Sequence, residues 1–172
     1  MNVHVVWRAF PLHPDTPEEG RSLEDLFAGM PVRVEDMLRQ MRSKADQLGL
    51  PFGNRTRTYN SRLAQELGLW AESEGRGDVF HDSAFRAYFA DGLNLSKRDV
   101  LLQLAAKAGL SERQAAQVLD RRSFREAVDA DWGRSRQLGI TAVPTFLANG
   151  KKVVGARSYD VLERLVLSST SP

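Results

Sequence analysis

The spacing of hydrophobic residues divides the chain into a long helical middle and a C-terminal segment that contains strands. Between Ser22 and about Arg122, apolar residues recur every three or four positions, as they do on one face of an α-helix. One more helix is predicted from Phe124 to Leu138, where Gly139 ends it. We therefore expect residues 22–122 to be almost entirely helical and to contain no pair of strands.

Polar residues mark where several of these helices begin. Ser22 and Asp25 have the spacing of a capping box, in which the serine side chain accepts a hydrogen bond from a backbone N–H of the first turn. Ser96, Ser111 and Ser158 also precede apolar periodic runs. These serines predict the N-terminal caps of four helices.

Three short segments have the composition of β-strands. Residues 3–10, VHVVWRAF, are rich in β-branched and aromatic side chains and are followed by a proline-rich loop. Near the other end, the segments Thr145–Ala148 and Lys151–Val154 flank Asn149-Gly150, a pair that favours the positive φ angles of a tight hairpin turn. The predicted order is strand, loop, helices, strand, turn, strand and helix.

Composition excludes several kinds of function. Lys and Arg exceed Asp and Glu by two, 24 against 22, so we expect no nucleic-acid partner. No apolar run is long enough to span a bilayer, and residues 1–10 lack the basic start of a secretory signal, so a cytoplasmic protein without a membrane partner is expected. His4, His13 and His81 do not have the spacing of metal ligands, and no cofactor or metal is expected.

Three segments carry a family resemblance. GITAVPTFLANGKKVVGARSYDVLERLV, which starts at Gly139, resembles the end of DsbA-like thioredoxin-fold proteins. VVWRAFPLHPDTPEEG and AFRAYFADGLNLSKRDVLLQLAAKAGL are similar to the second strand and the helical insertion of the cytoplasmic FrnE subgroup. The resemblance implies an α/β, thioredoxin-like fold that is N-terminally incomplete, with residues 1–21 and 123–172 in the thioredoxin-like domain and 22–122 in a helical insertion.

The same resemblance implies a thiol–disulfide oxidoreductase. In the family, a strand and a helix carrying Cys-x-x-Cys precede the first strand seen here, and the 172 residues contain no cysteine. Disulfide exchange needs a thiolate nucleophile and a second sulfur, so we expect this truncated chain to be inactive and assign it no catalytic residue. A shortened reading frame and a degenerate gene both account for such a chain.

The resemblance also implies a site for peptide or protein thiol substrates. Val143-Pro144 matches the cis-proline of the family, so Val143, Pro144 and Thr145 are expected to bind a substrate peptide as an added strand. The alternative is a trans proline that opens an edge strand. Arg55, Arg57 and Arg62 could form a small anion patch, although a solvated surface is the favoured interpretation.

Two other functions stay open at this point. One is a non-catalytic module that binds peptides through the proline groove, and the other is an enzyme like the 2-hydroxychromene-2-carboxylate isomerases or kappa-class glutathione transferases.

The missing strand would leave unpaired backbone groups beside residues 3–10 and Thr145–Ala148. Either these strands pair directly with each other or a second copy supplies the pairing, and the second remedy, a homodimer, is favoured.

Overall fold

A computed structural model describes residues 3–31 and 33–168 of the chain. Two short strands and six helices come first: β1 (Arg21–Ser22), α1 (Leu23–Leu26), α2 (Val34–Gln47), β2 (Arg57–Thr58), α3 (Arg62–Ser73), α4 (Gly77–Phe89), α5 (Arg98–Lys107) and α6 (Glu112–Arg121). They are followed by α7 (Arg125–Gln137), β3 (Thr145–Ala148), β4 (Lys151–Val154) and α8 (Tyr159–Leu167). None of the helices in the described ranges combines the length and apolar character needed to cross a bilayer.

The chain forms two compact units. One, here called the hairpin unit, comprises Met1–Leu12 and Asp129–Pro172, and the other, the helical unit, comprises His13–Val128. The resemblance suggested a similar division at residues 21 and 122. Units defined by contacts need not coincide with a division by ancestry, because a loop joins whichever unit it packs against.

The helical unit has a core built from the apolar faces of α3 to α6. Phe80, Leu67 and Leu101 are almost completely buried there. Removal of such side chains from water is the main favourable contribution to the stability of the unit. The buried residues of this core are Ala64, Leu67, Trp70, Ala71, Phe80, Ala84, Ala87, Leu95, Leu101, Leu104, Ala105, Ala108, Ala115 and Leu119.

Two of the four predicted serine caps form a side-chain capping hydrogen bond, and two do not. Ser22 Oγ accepts a hydrogen bond from the backbone N–H of Asp25 at 3.0 Å and precedes α1 as predicted, and Ser111 caps α6. Ser96 is not a cap, since α5 begins after Lys97, and the hydroxyl of Ser96 donates instead to the carbonyl of Glu18 at 2.8 Å. Ser158 precedes α8 without a side-chain capping bond.

The prediction of no strand pair in residues 22–122 is wrong. β1 pairs antiparallel with β2, with Arg21 opposite Thr58 and Ser22 opposite Arg57. Two residues on each side are too few to produce an alternating pattern in the sequence. Gly20, at φ 80°, brings the chain so close to Thr58 that a Cβ atom there would lie 2.5 Å from the Thr58 carbonyl oxygen.

The predicted N-terminal strand is also absent, because residues 3–10 form no strand. The backbone N–H of Ala9 donates to the carboxylate of Asp131 at 2.9 Å, and Arg8 pairs with the same carboxylate at 3.2 Å. Direct pairing of this segment with β3 is therefore wrong for the described residues, where β3 pairs with β4 only. β-Branched composition does not produce a strand without a neighbouring strand to complete its hydrogen bonds.

The C-terminal hairpin and helix form where they were predicted. Thr145 lies opposite Val154 and Ala148 opposite Lys151 across the antiparallel pair. The turn residues Asn149 and Gly150 have φ angles of 51° and 71°, the positive values that a two-residue turn of this kind requires. α8 packs against both strands, which places the hairpin on a helical support.

Candidate peptide-binding site

The loop between α7 and β3 carries the three residues predicted to bind substrate. Gly139, at φ 59°, ends α7, and the N–H of Ile140 bonds back to the carbonyl of Ser135 at 2.9 Å. Lys152 donates to the carbonyl of Leu138 at 3.1 Å, so a cation sits at the negative end of the helix. The chain then leaves the helix as an exposed segment that leads to Pro144.

The Val143–Pro144 peptide bond is cis. Two hydrogen bonds hold the loop around it. Thr145 Oγ1 donates to the carbonyl of Ala142 at 2.6 Å, and the N–H of Gly155 donates to the carbonyl of Pro144 at 2.8 Å. The loop is thus tied both to itself and to the end of β4.

Backbone groups on both sides of Pro144 are open. The N–H and C=O of Val143 take part in none of the backbone hydrogen bonds within residues 3–31 and 33–168, and its side chain is 43% exposed. The carbonyl of Pro144 bonds to Gly155 at the end of β4. In an antiparallel pair, backbone groups point toward and away from the partner strand at alternate residues, so the N–H and C=O of Thr145 and Leu147 point away from β4. The site therefore offers a row of backbone donors and acceptors to an extended peptide.

Two large apolar side chains belong to this row. Phe146 and Leu147 are 36% and 45% exposed, although both are large apolar residues. An extended peptide that paired with the outer edge of β3 would cover part of this surface and would gain from its removal from water. The site has no thiol, since the sequence contains no cysteine.

His13 and His81 belong to the helical unit. Burial is the main cause that lowers the pKa of His81, with the nearby Asp78 acting in the opposite direction. Burial, followed by the charges of Arg21 and Arg55, lowers the pKa of His13. In the part of the chain that the structure describes, no group of three or more His, Asp and Glu side chains is placed to hold a metal ion.

The three arginines considered as an anion patch differ in their partners. Arg62 forms an ion pair at 2.7 Å with Glu66, a carboxylate that sequence analysis did not single out. Arg55 and Arg57 remain close, since Arg55 Nε donates to the carbonyl of Arg57 at 3.2 Å. A buried Glu four residues after an Arg on one helix face is a recognisable ion-pair spacing, and this signal could have separated Arg62 from the other two.

Comparison with known proteins agrees with the fold. Among curated proteins, the chain is 25% identical over 168 residues to the uncharacterized protein YwbO of Bacillus subtilis, which covers 96% of this chain and 82% of that protein. A crystal structure of a probable DsbA oxidoreductase from Streptomyces coelicolor is 26% identical, with a TM-score of 0.82 over 91% of this chain and 71% of that one.

A more distant structure shares the fold. The cytosolic disulfide reductase DsbM of Pseudomonas aeruginosa, solved with GSH, is 21% identical, with a TM-score of 0.56 over 86% of this chain and 73% of that one. The family model of the DSBA-like thioredoxin domain matches residues 1–166. The chain has a thioredoxin-like fold with a large helical insertion and belongs to the DsbA-like thioredoxin family.

Proposed function

We propose that the protein acts in thiol–disulfide exchange of the cytoplasmic FrnE type and that these 172 residues supply the surface that holds the peptide substrate. Membership of the DsbA-like family supports the reaction class, and the resemblance of residues 5–20 and 84–110 to FrnE proteins supports the subgroup. The observation that carries the peptide-binding role is the open backbone of Val143 and Thr145 on either side of Pro144. The reacting sulfurs are not among the 172 residues.

The role of the loop is to align the backbone of the substrate peptide. An extended peptide would donate to and accept from Val143 and Thr145 as an added strand, which fixes the peptide backbone without reading its sequence. Such main-chain recognition suits an oxidoreductase that accepts many protein thiols, because every peptide carries the same N–H and C=O groups. Phe146 and Leu147 add a preference for apolar side chains.

Peptide binding tests this role directly. The probe is a fluorescein-labelled, twelve-residue extended peptide of alternating Val and Thr with one Ser, measured by fluorescence anisotropy. Val143→Pro removes one backbone donor, and we expect the peptide to bind about tenfold more weakly, the effect of about 1.4 kcal/mol. The matched control is Thr141→Pro, which places the same ring two residues earlier in the same exposed loop. Equal binding by Val143→Pro and the unchanged protein, or equal loss in both variants, contradicts the proposal.

The chemistry is tested separately. Pure, mass-verified protein of these 172 residues should reduce insulin disulfides no faster than buffer, because Ser and Thr cannot replace sulfur in the exchange. Turnover above buffer by such a sample would overturn this expectation. The result does not depend on whether the loop binds peptide.

A non-catalytic peptide-binding module is the second candidate function. The same observation favours it, since Val143 and Thr145 offer their backbone groups without any sulfur nearby. Translation of the DNA upstream of Met1 separates these two candidates from each other and from the isomerase alternative. An in-frame Cys-x-x-Cys supports the oxidoreductase, a stop codon supports the binding module, and a serine at that place supports the isomerase.

A further inference from the structure

A second candidate binding region lies in the helical unit, where Arg55 packs against aromatic rings. The guanidinium carbon lies 4.6 Å from the ring centroid of Tyr88 and 5.4 Å from that of Phe89. Phe52 stacks on Phe89 with centroids 6.3 Å apart, and Arg55 Nε donates to the carbonyl of Arg57. A guanidinium fixed in this way loses little conformational entropy when it binds a ligand.

Two more arginines belong to the same surroundings. Arg21 lies opposite Thr58 in the β1–β2 pair, and Thr58 Oγ1 is hydrogen bonded at 2.8 Å to the hydroxyl of Tyr88, the ring beneath Arg55. Arg57 donates to the carbonyl of Gly20, the residue before Arg21, at 3.0 Å. Arg21 shares a face of the β1–β2 pair with Thr58, so segments far apart in sequence bring Arg21 and Arg55 to the side of Tyr88, whereas the Arg57 side chain starts from the opposite face.

His13 completes the group. Asn60 Nδ2 donates to the carbonyls of Pro14 at 3.1 Å and Thr16 at 2.8 Å, which fastens the loop after His13 beside β2. The pKa of His13 is lowered by burial and, after that, by the positive charges of Arg21 and Arg55. His13 therefore lies within the electrostatic field of both arginines.

None of the three arginines, Arg21, Arg55 and Arg57, has a carboxylate within ion-pair distance in the part of the chain that the structure describes. The nearby Glu18 is engaged at 2.8 Å by Lys97. Like charges held together without a counter-charge repel one another, and a bound anion relieves the repulsion.

We propose that His13, Arg21 and Arg55 form a binding site for a phosphate group. The donors come from a loop, a strand and a side chain held against an aromatic ring. A tetrahedral, doubly charged oxyanion can use such donors together, whereas one planar carboxylate is satisfied by a single guanidinium fork. The phosphate is free or belongs to a small phosphorylated metabolite.

Titration calorimetry with inorganic phosphate, at an ionic strength held constant with chloride, tests the site. We expect saturable binding that weakens about tenfold in Arg21→Gln and in Arg55→Gln, as expected for the loss of a charge-assisted hydrogen bond. Arg113→Gln is the matched control, since Arg113 is exposed on α6 and the same charge is removed there. Arg21 is exposed, so its replacement leaves the fold intact even if Arg55→Gln does not.

Three results would overturn the site: no saturable binding by the unchanged protein, an equal loss in Arg113→Gln, or tighter binding of succinate than of phosphate. Glycerol 3-phosphate separates the sources. Binding tenfold tighter than inorganic phosphate assigns a phosphorylated metabolite, and equal binding assigns free phosphate.

A second readout follows the imidazole itself. Bound phosphate should raise the pKa of His13, followed by NMR of the ring protons, because a nearby anion favours the charged form. The ring of His4, which is exposed in the other unit, serves as the internal control. An unchanged titration of His13 at saturating phosphate, or an equal shift with chloride, would refute a direct role for His13.

Discussion

At the scale of single residues, Glu66 is a buried carboxylate that is hydrogen bonded by two arginines. Its side chain is 1% exposed, and it receives hydrogen bonds of 2.7 Å from Arg62 and of 2.7 Å and 2.7 Å from Arg122. Arg122 reaches it from the residue after α6, where the backbone has a φ of 51°. The carboxylate thus ties α3 to the end of α6.

Glu66→Gln should lower the free energy of unfolding by about 3 kcal/mol, because Arg62 and Arg122 would lose their counter-charge at a buried position. Urea unfolding followed by circular dichroism measures the loss. Asp120→Asn is the control, since Asp120 forms an exposed pair with Arg98, and it should cost less than about 1 kcal/mol. A Glu66→Gln variant as stable as Asp120→Asn would show that the network does not support the fold.

The same residue predicts a dependence on pH. Burial alone would raise the pKa of the Glu66 carboxyl, but the hydrogen bonds from Arg122 and Arg62 outweigh burial and hold the pKa below its ordinary value of 4.5. A lowered pKa in the folded state means that the stabilisation is complete above the ordinary value and is lost as pH falls through the folded one. Unfolding free energies measured from about pH 6 to about pH 3 should fall more steeply for the unchanged protein than for Glu66→Gln. Parallel curves would contradict this.

At the scale of elements, the helices form largely as their local sequence directs, and α7 contains a glycine that its structure does not require. A Cβ atom at Gly133 would find its nearest neighbour, Arg136, 4.0 Å away. The site therefore has room for a methyl group. Helix interiors favour Ala over Gly by about 1 kcal/mol, so the substitution should stabilise α7.

Gly133→Ala should therefore raise the free energy of unfolding by about 1 kcal/mol, measured by urea unfolding. Gly53→Ala is the opposite case, because a Cβ atom there would lie 2.0 Å from the carbonyl oxygen of Ala90. Since a backbone oxygen cannot move aside, we expect Gly53→Ala to destabilise the protein by at least about 2 kcal/mol. If the two variants changed the free energy of unfolding in the same direction, the space described around one of these glycines would be wrong.

At the scale of the whole molecule, the outer edge of β3 is a surface on which a second chain can pair. Thr145 and Leu147 direct backbone groups away from β4, and Leu147 exposes an apolar side chain. An open edge of this kind is a template for another strand, and a second copy of the chain can provide one across a two-fold axis.

We expect the protein to form a homodimer at micromolar concentration, measured by light scattering after size-exclusion chromatography. Leu147→Lys places a charge on the edge and should yield monomers. Tyr159→Lys is the control, because Tyr159 is more exposed than Leu147 and lies on α8, and this variant should stay dimeric. A monomeric unchanged protein would refute the prediction, and a monomeric Tyr159→Lys would place the interface elsewhere.

The sequence could predict those features of the candidate site that depend on neighbouring residues, but not those that depend on residues far apart in the chain. The position of Val143, Pro144 and Thr145 came from the resemblance of the surrounding segment, which local sequence carries. That the backbone groups of Val143 and Thr145 are open could not be read from the sequence, because it depends on which strands lie beside β3.

By itself, the sequence determined the helices, the end of α7 at Gly139 and the turn at Asn149-Gly150, since capping, periodicity and positive φ act between residues a few positions apart. Only the tertiary structure decided that Ala9 bonds to Asp131 rather than to a strand, and that Arg122 meets Glu66. These contacts join residues more than fifty positions apart. Their formation depends on how whole elements pack, which no local pattern encodes.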